Sequence, residues 1–311
     1  MINQQSLTPK RLFKDLFRGK QPGYIPFLPF NFSLACRLEQ VPHEAFQTDP
    51  GIMVNALINS QKIFGFDVIL TKVDLCLPGL VKNTEISAEA ITEDIKTTVC
   101  LEATRRIKQT MDKQVVLACK ITGPLSLIRN AGKPGEGDPG RAGTYTAEIA
   151  RDAVLQIIKT VGEIGPDLIL VEEEEVNQGS RYGFAETAAL LEPLWNSIRY
   201  YNAEPLLVTS GISKSALELL SNDISGIVYT GEISANLDEL AFLIQDKGVC
   251  VSLPLPAATF AGQFELLYEF VAQVKRHLGN RGVFACSPGE ITPSISVEDM
   301  KNILHLLKEL S

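Results

Sequence analysis

The stretch DLILVEE, residues 167–173, is a short aliphatic run that ends in polar residues, and it decides the fold because the pattern recurs. Four later segments have the same form: PLLVTSG (205–211), GIVYTG (226–231), GVCVSL (248–253) and GVFACSP (282–288). A helix-like stretch follows each of them. Unbroken Val, Ile and Leu runs are typical of strands buried on both faces, and their alternation with helices predicts parallel pairing.

Earlier parts of the chain supply the remaining strands of this pattern. Strands are predicted over residues 24–30, 67–71 and 115–122. The total is roughly eight strands, the number that closes a (β/α)8 TIM barrel. An amphipathic helix over residues 8–19 precedes the first strand, with Thr8 as its cap and Pro9 at its first position. Residues 1–311 are therefore expected to form one α/β domain.

Residues 85–108 interrupt the alternation. Their second half, TTVCLE (97–102), is rich in residues that favour strands, so a crossover helix alone does not explain it. We expect an inserted β excursion around 85–108. A second interruption is the Gly/Pro-rich stretch over 130–143, which follows the third strand and is predicted to be a loop over the mouth of the barrel.

Composition excludes several classes of protein. The net charge is −8, with no cluster of basic residues interleaved with aromatic ones, which argues against a nucleic-acid partner. No run of about 18 apolar residues is present, so no membrane span is expected. The first residues lack the apolar region of a signal peptide, and the predicted location is cytoplasmic. The six cysteines are scattered without paired spacing, which favours free buried thiols.

Polar residues just after the strands are the candidates for chemistry, because active sites of such barrels lie at the carboxyl ends of the strands. Asp74 is a lone carboxylate beyond the second strand. Residues 172–175 are four consecutive glutamates, of which strand alternation turns two inward. Cys286 ends the last strand, either as a metal ligand or as a small buried residue. None of the three histidines follows a strand, so a Ser-His-Asp triad has no support.

Several motifs in order along the chain resemble the uroporphyrinogen decarboxylase superfamily. That group includes corrinoid-dependent methyltransferases, such as the methylcobalamin:coenzyme M enzymes, and is related to the barrel of cobalamin-independent methionine synthase. The motifs span residues 8–20, 65–80, 122–127, 165–173, 205–211 and 293–304. The resemblance covers nearly the whole chain and implies a TIM barrel.

The resemblance also implies roles for particular residues. Asp74 matches the aspartate that holds the pyrrole N–H groups in the decarboxylases. Their Arg-rich, carboxylate-gripping stretch corresponds to residues 30–36, which include Asn31 but no arginine, although Arg37 follows. Asn130 falls near a substrate-binding tyrosine of the decarboxylases. These matches make Asn31, Arg37 and Asn130 candidate substrate-binding residues.

In the methyltransferases of the superfamily, zinc is held by a His-x-Cys pair after the fifth strand and by a later cysteine. The matching positions here contribute only Ser210, which becomes a candidate substrate-binding residue, and Cys286, which matches the later cysteine. Glu173 matches a family carboxylate after the fourth strand. The implied zinc site is therefore incomplete, and the cofactor is either zinc on this reduced ligand set or a corrinoid supplied by a partner protein.

Three functions stay open from the sequence. The first is a methyltransferase of corrinoid or C1 metabolism, with Asp74 and Glu173 as catalytic groups at the mouth of the barrel. The second is a carboxy-lyase of the uroporphyrinogen decarboxylase type, in which Asp74 binds pyrrole nitrogens. The third is a non-catalytic barrel that binds a corrinoid, a tetrapyrrole or a partner protein that carries one. The expected ligand is a small molecule or a tetrapyrrole, not a nucleic acid or a membrane.

Overall fold

The computed structural model describes residues 8–20, 22–74, 81–82, 85–86, 94–131, 146–174, 183–211, 222–231, 237–279 and 282–309. The strands are β1 (Phe27–Phe30), β2 (Val68–Val73), β3 (Val81–Lys82), β4 (Glu85–Ile86), β5 (Val116–Thr122), β6 (Leu168–Glu172), β7 (Glu204–Thr209), β8 (Gly226–Tyr229), β9 (Cys250–Pro254) and β10 (Val283–Glu290). The α-helices are α1 (Pro9–Leu16), α2 (Phe32–Glu39), α3 (His43–Thr48), α4 (Pro50–Phe64), α5 (Ile95–Met111), α6 (Pro124–Ala131), α7 (Ala147–Ile164), α8 (Phe184–Tyr200), α9 (Leu237–Asp246), α10 (Glu265–His277) and α11 (Val297–Glu309).

Eight parallel strands form a nearly closed barrel. Their order is β1-β10-β9-β8-β7-β6-β5-β2, and the two end strands, β1 and β2, pack against each other. Four of the eight barrel strands, β1, β5, β8 and β9, are buried along their whole length, and the other four are buried over most of it, as the aliphatic runs predict. The predicted (β/α)8 TIM barrel is confirmed.

The inside of the barrel is a packed apolar core that α1 closes at the amino-terminal end. Phe13 and Leu16 of α1 belong to the same buried cluster as the inward residues of the strands. The ring of Phe13 meets that of Phe284 edge-on at 5.7 Å between centroids. Thr8 caps α1 and Pro9 begins it, as the sequence predicts. The opposite end of the barrel, where the strands have their carboxyl ends, is called the mouth.

The β excursion predicted for 85–108 is wrong in its second half. Residues 85–86 form β4, which pairs antiparallel with β3, but residues 95–111 form the helix α5. Asp94 caps this helix by accepting a hydrogen bond from the backbone N–H of Thr97 at 2.7 Å. Its buried residues, among them Val99, Ala103 and Ile107, recur at helical spacing and pack on the barrel. Tertiary burial of this face outweighs the strand preference of the β-branched residues.

Other predictions hold with small shifts. The first strand begins at Phe27 rather than Tyr24, and the second extends to Val73. Five of the six cysteines lie among the described residues and are free and buried, as predicted. Most of the predicted mouth loop, residues 132–143, lies outside the described residues, while Asn130 and Ala131 end α6. No helix of the described part of the chain is long and apolar enough to cross a membrane.

Candidate active site

A layer of charged side chains caps the apolar interior at the mouth. Alternate residues of each strand point into the barrel, and Leu70, Ala118 and Leu170 belong to this interior set. Two positions further along, the same strands carry charged residues at or near their carboxyl ends. With the last residue of β10 they form what we call the charged layer: Lys72, Lys120, Glu172 and Glu290.

The two lysines lie side by side. Lys72 of β2 and Lys120 of β5 are paired positions of neighbouring strands. Carboxylates compensate the two positive charges: Lys120 donates to Glu172, and Nζ of Lys72 lies 2.7 Å from Oδ1 of Asp74. Lys120 is only 7% exposed and its ammonium lies 5.8 Å from the ring centroid of Phe30.

The neighbouring carboxylates raise the pKa of Lys72. Burial is the largest single influence and lowers the pKa of Lys72, but the charge and hydrogen bond of Asp74, together with the charges of Glu172 and Glu290, outweigh it. The net pKa is above the ordinary value, so Lys72 is a stable ammonium at the mouth.

Glu290 differs from the other carboxylates of the mouth. Its Oε1 accepts the backbone N–H of Ser33 at 2.5 Å, and among the described residues it forms no ion pair within 4.0 Å. Burial raises its pKa, and the Ser33 hydrogen bonds and the charges of Lys72 and Lys120 offset this only in part. A carboxyl group with a raised pKa at the wall of a site accepts a proton more readily than an ordinary glutamate does.

A cavity of about 180 Å³ opens beside the charged layer, and we call it the rim cavity. Its polar wall includes Lys72, Asp74 and Glu290, and its apolar wall comes from α2, α3 and α4. The lining residues are Phe32, Ser33, His43, Phe46, Gln47, Met53, Lys72, Asp74, Lys96 and Glu290. His43 is exposed at the start of α3 and lines the cavity. It therefore belongs to the site, although no strand precedes it in the sequence.

The glutamate run divides among three environments. Glu172 turns into the barrel and pairs with Lys120. Glu173 is fully buried on the other side of the strand, where its carboxylate accepts the N–H groups of Leu125 and Ser126 at 2.9 and 2.8 Å. Glu174 pairs with Arg129 on the surface. Glu175 lies outside the described residues.

Glu173 therefore holds the first turn of α6 rather than opening onto the cavity. The hydroxyl of Ser126 adds a third hydrogen bond at 2.7 Å. Gly123 is required next to it, since a Cβ there would lie 2.5 Å from Oε2 of Glu173. A catalytic role for Glu173 stays a prediction, and its contacts give it a positioning role.

Cys286 lies one layer below the charged layer. It is paired in register with Leu28, is fully buried, and its thiol donates a weak hydrogen bond to the carbonyl of Tyr229 at 3.7 Å. Burial raises the pKa of this thiol to about 12, which disfavours the thiolate that a metal needs. Among the described residues, no group of three or more His, Cys, Asp and Glu side chains could hold a metal ion. These residues do not fit zinc.

The four candidate substrate-binding residues lie apart from the rim cavity. Asn31 is buried and donates to the hydroxyl of Ser60 at 2.9 Å, and Arg37 donates to the carbonyl of Ile295 at 2.8 Å. Asn130 has a buried Oδ1 without a hydrogen-bond partner among the described residues. Ser210 is exposed at the end of β7. Their roles in binding stay predictions.

The structure of this chain is similar to solved structures of known proteins. No family model matches the sequence, and no curated protein matches it significantly. The structure is similar to that of a methyltransferase from Methanosarcina mazei, with a TM-score of 0.71, 13% identity, and coverage of 98% of this chain and 99% of that chain. This full-length likeness agrees with the superfamily resemblance of the sequence motifs, and at such identity it shows the fold alone.

Two further solved structures share the barrel less closely. A D-psicose 3-epimerase, solved in the presence of D-fructose, has a TM-score of 0.51 at 10% identity over 83% of this chain and 93% of that chain. A tryptophan synthase from M. tuberculosis has a TM-score of 0.50 at 10% identity over 97% of this chain and 99% of that chain. Both likenesses support the same fold assignment.

Proposed function

We propose that this chain is a methyltransferase that acts at the mouth of the barrel, in the rim cavity next to the charged layer. The observation that carries the proposal is the charged layer itself, with Lys72, Lys120 and Glu290 gathered where barrel enzymes place their chemistry. The full-length likeness to a methyltransferase supports the reaction class.

The reaction needs a proton acceptor, and Glu290 is the candidate. Methyl transfer to an acceptor X–H forms an X–C bond, breaks the bond between the methyl carbon and its donor, and releases the acceptor proton. Glu290 lines the rim cavity, holds one backbone N–H, and has a pKa raised by burial, so it is placed to take that proton.

The lysines have a complementary role. Lys72 lines the rim cavity, and Lys120 lies beside it on the neighbouring strand. Fixed ammonium groups in a partly dry site stabilise negative charge on an acceptor or on a leaving group. Asp74 then acts by holding Lys72 in place, and Glu173 by fixing α6 behind the charged layer.

The donor is proposed to come from outside the barrel. A cavity of about 180 Å³ holds a small molecule and not a corrinoid macrocycle. A corrinoid carried by a partner protein would supply the methyl group at the mouth. The carboxy-lyase alternative is less well supported, because Oδ1 of Asp74 is engaged by Lys72 and the cavity is small for a tetrapyrrole.

The test is an incubation of the purified chain with methylcobalamin and panels of thiols, amines and carboxylic acids, read by mass spectrometry for a product heavier by one methylene unit. We expect a methylated product that Glu290→Gln loses and that added zinc does not increase. A parallel incubation with uroporphyrinogen tests the lyase alternative. Decarboxylated porphyrinogen without methylated product would overturn the proposal, and neither product together with a co-purifying corrinoid protein would favour the non-catalytic alternative.

A further inference from the structure

The rim cavity combines an apolar body with a cationic edge. Phe32, Phe46 and Met53 form the apolar wall, and the rings of Phe32 and Phe46 lie 6.3 Å apart between centroids. Lys72 and Lys96 contribute the positive charges. A cavity of this volume matches a ligand of about one six-membered ring, because an engineered apolar cavity of about 150 Å³ binds benzene.

The charges of the cavity are not balanced. Asp74 is already neutralised by Lys72 at 2.7 Å. The carboxylate of Glu290 is partly compensated by the backbone N–H of Ser33 in the first turn of α2. Lys96 is exposed at the start of α5, lines the cavity, and forms no ion pair with any residue that the structure describes. The sum favours a negatively charged ligand over a cationic one.

The orientation of two helices adds to this preference. Ser33 and Lys96 belong to the first turns of α2 and α5, and both line the cavity. A helix carries partial positive charge at its amino-terminal end, which stabilises an anion nearby. The N–H of Ser33 already binds one carboxylate, that of Glu290. Glu290 is thus both a wall of the cavity and a competitor for the anion.

We propose that the rim cavity binds a small organic carboxylate with an apolar body, its carboxylate held by Lys72 and Lys96 and its body against Phe32, Phe46 and Met53. The proposal rests on the proposed function of the mouth and names the substrate class for it. Removal of negative charge at Glu290 should strengthen binding, whereas removal of either lysine should weaken it.

The experiment measures binding of benzoate to the full chain by calorimetry, without any methyl donor. Benzyl alcohol and benzylamine are the neutral and cationic comparisons. We expect benzoate to bind more tightly than both, to weaken about tenfold in Lys72→Met and about threefold in Lys96→Met, and to tighten about threefold in Glu290→Gln. Lys14→Met, an exposed change on α1, is the control and should bind benzoate as the wild type does.

Three results would overturn the proposal: no binding of benzoate, preference for benzylamine, or equal benzoate affinity in Lys96→Met, Glu290→Gln and the control. Lys96 is exposed and Glu290→Gln is predicted to gain affinity, so misfolding of a variant cannot imitate the expected pattern. The binding assay contains no methyl donor and does not depend on catalysis. Benzoate binding here, together with no methylated product in the methylcobalamin incubation, would refute the proposed function while leaving this inference in place.

Discussion

Glu173→Gln tests whether this carboxylate positions α6. The side chain is fully buried, and among the described residues it accepts hydrogen bonds from the N–H groups of Leu125 and Ser126 and from the Ser126 hydroxyl, at 2.7 to 2.9 Å. Glutamine has the same shape, but its amide nitrogen cannot accept. At least one donor therefore loses its acceptor, and the remaining bonds lose their charge assistance.

The expected cost follows from these contacts. Leaving one buried donor unpaired costs about 1–3 kcal/mol, and loss of the charge on the other bonds adds about 1 kcal/mol. The free energy of unfolding should fall by about 2–4 kcal/mol in Glu173→Gln. Glu174→Gln is the matched control, because its partner Arg129 lies on the surface and an exposed pair contributes about 1 kcal/mol or less.

Urea unfolding followed by circular dichroism measures both variants. The shift in midpoint, multiplied by a common slope, gives the change in free energy. Equal stability of Glu173→Gln and Glu174→Gln would refute the positioning role and return Glu173 to the list of groups free to act in catalysis.

Further predictions concern the barrel ends and pH. Phe13→Ala should lower the free energy of unfolding by about 3–5 kcal/mol, because the ring fills the plugged end of the barrel. Phe17 is partly exposed, so Phe17→Ala should cost less. Equal losses of stability in thermal or urea unfolding would contradict the assignment of Phe13 to the plug. Asp67 accepts hydrogen bonds from Tyr24 and from the N–H of Phe27, and burial raises its pKa. Because the folded pKa lies above the unfolded one, this contribution to stability is fully present below about pH 4 and is lost as pH rises through the raised pKa. The Tm advantage of the wild type over Asp67→Asn should therefore shrink from acid to neutral pH, and parallel curves would show that Asp67 does not titrate in this way.

The fold was predictable from the sequence because it rests on a simple regularity. The barrel strands are buried over most of their length, so unbroken aliphatic runs that alternate with helices are most simply interpreted as parallel barrel strands. Prediction failed at α5, where Thr97, Thr98 and Val99 favour strands in isolation. Their helix is stabilised by the Asp94 cap and by packing on the barrel, which local preference does not reveal.

The site was predictable only in outline. Asp74 was placed at the mouth by its position after a strand, and the structure finds it on the rim cavity. Lys72 and Lys120 carried a signal that could have been used, since each is a single charge inside an otherwise apolar strand. Their adjacency, however, depends on strand register, which no single sequence fixes. Glu290 follows a Pro-Gly pair that is typical of a turn, yet β10 runs through it.

In the proposed function, the charged layer performs the chemistry. The most direct measurement is the rate of methyl transfer, once an acceptor is found, in the wild type, Lys72→Met, Glu290→Gln and the control Lys14→Met. We expect losses of about 100-fold or more in Lys72→Met and Glu290→Gln and an unchanged rate in Lys14→Met. Wild-type rates in folded Lys72→Met and Glu290→Gln would contradict it, since the reaction would then take place elsewhere.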